Sequence, residues 1–155
     1  MAGTQAGPES RRRRPSRLIS YASERRLLQG AVLLGGLVPV GAGLWGALIG
    51  AGFVGAEVDA SPGSRSLDSH MRYLSGLLLG IGLGFWHAVP SIERRTARAR
   101  LLTGFVVVGG LARLLGAGLH GAPPAPMLFG LGMELVVTPL ICLWQGRVAR
   151  RYEAL

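Results

Sequence analysis

The chain has 155 residues, of which 49% are hydrophobic, 16% are charged and 25 are glycine. Glycine at that level would weaken a soluble helix, but membrane helices use small residues to approach one another closely. Long uncharged Leu/Val/Ile runs exclude a Gly-rich disordered chain. The net charge of +9 comes from 17 basic residues, all arginine, which lie between apolar runs rather than along one helix face. That pattern speaks for membrane topology and against nucleic acid as a partner.

The chain opens with a polar, basic segment, "MAGTQAGPESRRRRP", which is expected to be disordered over residues 1–15. Its Arg11–Arg14 run suits anionic lipid headgroups. Residues 16–26 read as an interfacial helix. From there to Trp144 the sequence predicts an all-α, polytopic bundle of four transmembrane helices, with the membrane domain covering residues 27–146.

Thirty uncharged residues separate Arg26 from Glu57, whereas about 20 suffice to cross a bilayer. Span one therefore runs over about residues 27–53. Its apolar stretch is too long for a signal peptide, although Val54-Gly55-Ala56 resembles a cleavage site. Pro39 withholds an amide from the carbonyl of Gly35 and predicts a kink. A polar connection, "VGAEVDASPGSRSLDSH", follows, in which Asp68 or Ser69 is expected to cap span two.

Span two covers about residues 73–89, and its Gly76, Gly80 and Gly84 repeat at intervals of four, predicting a close-packing face. Span three, about 101–119, carries Arg113, with Gly109 and Gly110 on the same small-residue face. Span four, about 127–144, carries Glu134 and is interrupted by Pro139, which leaves the carbonyl of Leu135 unserved. Residues 147–155 form a basic tail.

Seven arginines precede span one, four lie between spans two and three, and three follow span four, against Arg65 and Arg72 on the other side. The positive-inside rule places both termini in the cytoplasm. A short, proline-stiffened outer connection, "HGAPPAPM", makes spans three and four an antiparallel hairpin. At 1.5 Å per residue, Arg113 and Glu134 then both lie roughly 10 Å below the outer surface. An arginine at that depth costs about 2.5–3.5 kcal/mol, which a facing carboxylate offsets through a bidentate contact, so the two are expected to pair. His70, Arg72 and Tyr73 are expected to complete an outward-facing polar recess with them.

"HMRYLSGLLLGIGLGFW", "PSIERRT" and "GGLARLLGAGLHGAPPAPMLFGLGMELVVTPLICLWQ" resemble, in that order, the bacterial membrane proteins of domain of unknown function 4345. The likeness covers roughly residues 25–150 and rests on Arg72-Tyr73, on Gly110 to Arg113 and on the surroundings of Glu134. It implies a compact four-helix membrane bundle and no established activity.

The sequence contains no nucleophile–base pair, phosphate loop or dinucleotide motif, so no enzyme is expected. Its one cysteine, Cys142, leaves no CxxC redox pair. His70 and His120 lack the partners of a metal or haem site, so neither metal nor cofactor is expected. The expected function is a non-catalytic bundle or accessory subunit with a buried Arg–Glu pair. The alternative is a small-molecule or ion binder, or a transporter component, using the polar recess. A membrane enzyme is the third reading. Expected partners are the lipid bilayer and, because four short helices enclose little volume, a second copy or a membrane partner protein.

Overall fold

A computed structural model describes the backbone of residues 8–154, and side chains from Ile19 onward except Ser20. Helix α1 spans Pro8–Ile49 and passes into a 3₁₀ turn over Gly50–Val54. Helix α2 spans Pro62–Ala88, and a second 3₁₀ turn, Val89–Arg94, leads to α3, Thr96–His120. The last span comprises α4, Ala125–Gly132, a π-helical turn, Met133–Val137, and α5, Thr138–Glu153. Four stretches, Tyr21–Val54, Pro62–Arg94, Thr96–His120 and Ala125–Glu153, are long and apolar enough to cross a membrane. Among the described residues there is no strand.

Every span is longer than its apolar run, because hydropathy marks the part suited to lipid rather than the end of backbone hydrogen bonding. The residues expected to be disordered before position 15 are helical from Pro8, and no boundary separates them or the expected interfacial helix from span one. Once span one is nucleated, extension through Glu, Ser and Arg costs little per residue, although Pro15 in this stretch withholds one amide from the ladder. Residues 1–7 lie outside the described residues. Span two likewise begins 11 residues before the expected position 73. Ser61, not Asp68 or Ser69, caps it: the hydroxyl accepts from the Ser64 amide at 3.3 Å, and Pro62 follows in the first turn.

The spans form a ring in chain order. The most extensive contact is between α1 and α2; α3 lies against α2 and the last span, and α5 returns to α1. Leu28, Val32, Val89, Ile92 and Val148 form the buried core, with Tyr21, Phe85, Ile141 and Trp144 packed around it. That core joins all but α3 at the end of the ring that holds the turn between α2 and α3. Toward the opposite end each hairpin closes on itself, and no comparable backbone approach links α1 or α2 to α4 or the π turn.

The face that α2 offers to α1 is not the expected one. Gly76 and Gly80 have no atom within 4 Å of where a Cβ would sit, and Gly84 meets Leu102 of α3 instead. Helix α1 packs on Ser75, Leu79 and Gly82, a face about one residue further round. At Gly43 a Cβ would stand 2.5 Å from the Leu79 nitrogen and 2.8 Å from the Ser75 carbonyl oxygen. Only glycine permits that backbone approach. The spacing by four was present in the sequence, but a helix apolar on every side carries no mark of which face meets protein.

Candidate functional site

Arg113 and Glu134 meet on adjacent helices. The guanidinium donates from Nε to Glu134 Oε2 and from Nη2 to Oε1, both at 3.1 Å, in a bidentate contact. Its Nη1 donates to the Met127 sulfur at 2.9 Å, a weak acceptor. The side chains are 34% and 18% exposed, so within the ring the pair is partly rather than fully buried. Gly110 brings the helices together here: a Cβ would stand 3.0 Å from the Glu134 Cβ and 2.7 Å from Leu135 Cδ2. Gly109, one position away, faces open space.

Glu134 lies within the π turn, and the sequence explains why a turn is there. Pro139 has no amide for a regular α-helical bond, and the ladder widens just before it. The Thr138 amide reaches back five residues to the Met133 carbonyl, and the Thr138 hydroxyl donates to that same oxygen at 2.8 Å. Pro39 opens no such turn, and α1 runs helical across it.

The other residues expected beside this pair are placed elsewhere. Arg72 forms an i,i+4 ion pair with Asp68 at 2.8 Å and donates from Nη1 to the Ala47 and Leu48 carbonyls at 2.9 and 2.7 Å. It therefore covers the C-terminal end of α1, where a cation complements the helix dipole. Asp68 accepts from the Ala51 amide at 3.0 Å. Gly50, with φ of +61°, turns the chain beneath, where any Cβ would collide with the Asp68 carboxylate. Tyr73 is 64% exposed and His70 is exposed. The expected recess is thus corrected: α2 turns Arg72 toward α1, and its guanidinium is taken up there.

A second polar network, which the sequence did not predict, ties the hairpins around the turn between α2 and α3. Gln145, 2% exposed, donates from Nε2 to the Ile92 carbonyl at 2.7 Å and to Thr96 Oγ1 at 2.9 Å. Gln29 donates to the Val89 carbonyl at 2.8 Å, and Arg25 pairs with Glu93 at 2.9 Å while also donating to the Pro90 carbonyl. These acceptors surround Pro90, where the chain leaves helical geometry at Ser91 and exposes carbonyls. Glu24 receives Arg147 at 3.7 Å, Arg151, and the Trp144 indole N–H at 3.3 Å. Two glutamines next to apolar runs were the available signal. Arg11–Arg14 side chains lie outside the described residues.

In the connection before α2, the Ser61 hydroxyl and then its amide hydrogen-bond Asp59, holding that carboxyl below its ordinary value. Among the described residues no three His, Cys, Asp or Glu side chains are grouped as a metal site would require. Cys142 is a free thiol. No curated protein and no solved structure matches the chain. The sequence over residues 27–145, which takes in the paired Arg113 and Glu134 and both halves of the Gln145 network, matches one family, and the chain belongs to it: Domain of unknown function (DUF4345).

Proposed function

We propose that this protein is a non-catalytic integral membrane scaffold or accessory subunit, with both termini on the cytoplasmic face of a bacterial membrane. One observation carries the reading: Arg113, the one arginine within the apolar run of span three, spends both prongs of its fork on Glu134. Arg72 is likewise occupied by Asp68 and the end of α1. Cations committed in this way hold helices together and are not free to bind substrate. The division of arginines, fourteen on one side and two on the other, supports the orientation.

The test compares thermal stability in mild detergent for the parent, Arg113→Glu, Glu134→Arg and the double exchange. Each single places like charges together and is expected to cost about 2–3 kcal/mol, with most of it recovered in the double. Singles that fold as well as the parent, with no recovery on exchange, would instead favour a ligand at Arg113. The contact of its Nη1 with a thioether alone gives that second reading its foothold. A native mass spectrum would then show a bound small molecule in the parent that is missing from Arg113→Gln.

A further inference from the structure

At the end of the bundle that holds the turn between α2 and α3, arginines fall into two groups with different neighbours. Beside α1 and α5, Glu24 is shared by Arg147 and Arg151, and Glu93 pairs with Arg25. At the corner where α2 passes into α3, Arg95 donates from Nε to the Ser91 hydroxyl at 2.8 Å. Neither Arg95 nor the exposed Arg98 meets a carboxylate among the described residues. The first turn of α3 contains no acidic residue, and the dipole of the helix adds positive potential there.

The face of α3 below Arg98 has a matching character. Leu101, Phe105 and Val108 follow it at 3, 7 and 10 positions, which puts all four side chains on one side of the helix. All three apolar residues are exposed. A cation followed by an apolar track along a membrane helix has the layout of a phospholipid: a phosphate at the surface and an acyl chain running inward. Soluble anions would find the charge but make no use of the track.

We propose that this face of α3 seats an anionic phospholipid, its phosphate held by Arg98 and Arg95 and one acyl chain lying along Leu101, Phe105 and Val108. The seat rests on the membrane reading given above. It is distinct from the Arg11–Arg14 run and from the arginines that Glu24 holds.

The test reconstitutes the full chain in nanodiscs of phosphatidylcholine containing a minor fraction of phosphatidylglycerol, and uses native mass spectrometry to measure the ratio of the two lipids retained. The parent is expected to retain phosphatidylglycerol preferentially. Arg98→Gln should lower that preference about fivefold, the factor equivalent to about 1 kcal/mol per arginine near an anionic surface. Arg150→Gln, which removes an exposed arginine from α5, should leave it unchanged. Phe105→Ser should weaken lipid retention, and millimolar inorganic phosphate should not displace the lipid. No preference in the parent, or equal losses in Arg98→Gln and Arg150→Gln, would overturn the seat. Displacement by phosphate with Phe105→Ser silent would replace it with a soluble-anion site. A chain that does not enter the nanodiscs would defeat the membrane reading itself, whereas one that enters without preference defeats only the lipid seat.

Discussion

The two ends of this bundle are tied in different directions. Around the turn between α2 and α3, an apolar core, the Gln145 amide and the ion pairs of Glu24 with Arg147 and Arg151 join one hairpin to the other: Val148 and Gln145 of α5 sit against residues from α1 and the turn after α2. At the opposite end the ties are ionic and local. Asp68 and Arg72 bind α2 to the end of α1, and Arg113 and Glu134 bind α3 to the last span. Assembly of the two hairpins therefore depends on one end, while the shape of each hairpin depends on the other.

Substitutions can break this contrast, and the largest effect is expected within a hairpin. Gly43→Val would drive a side chain into the Leu79 and Ser75 backbone, which cannot move aside as a side chain can. It should cost about 3 kcal/mol and prise α1 from α2, seen as a lower melting temperature in mild detergent. Next comes the tie between hairpins. Gln145→Leu keeps the volume but takes the donor from the Thr96 hydroxyl and leaves the Ile92 carbonyl with the Arg95 amide at 3.4 Å, at about 1.5 kcal/mol. Hydrogen exchange should then rise around residues 89–96 and in α5 but not across the α1–α2 contact. An equal rise at Gly43 would show that the two ends are not separable.

Smaller changes sharpen the picture. Ser61→Ala removes the cap of α2 and should cost about 1 kcal/mol, measured by the same melting experiment. It also removes the largest of the influences that lower the Asp59 titration, the hydrogen bond from the Ser61 hydroxyl. Because the folded value is depressed, the contribution of that hydrogen bond is full above the ordinary carboxylate value and is lost as pH falls through the lowered one. Carboxyl NMR titration of Ser61→Ala should therefore show Asp59 moving up toward its ordinary value. Smallest of all, Gly76→Ala and Gly80→Ala should each change stability by no more than about 0.5 kcal/mol, since neither site has a neighbour to strike. A large loss in either, measured by melting in detergent, would mean that the face packs on something outside this chain.

Much of the candidate site was legible because charge in an apolar segment is conspicuous. Arg113 and Glu134 stand alone in their runs, and a short connection between antiparallel helices fixes their common depth. Arg72 shows where such reading stops. Its depth was right for the recess, but depth says nothing about direction around the helix, and the Asp68 one turn earlier draws it to α1. Gln145 was unreadable for a different reason: its partners are backbone carbonyls freed by the irregular turn at Pro90, and main-chain acceptors leave no trace in composition.

By itself, the sequence determined four apolar stretches, the arginine-rich connections between them, and the need of Arg113 for a carboxylate. These follow from lengths and from the cost of charge in hydrocarbon, both properties of the chain taken one segment at a time. Only the tertiary structure decided that α1 rides on Ser75 and Gly82 rather than Gly76 and Gly80, that Glu134 sits in a π turn, and that Gln145 and Glu24 tie one hairpin to the other. In an apolar helix every face suits lipid equally well, so the choice of face is made by the fit of one backbone against another.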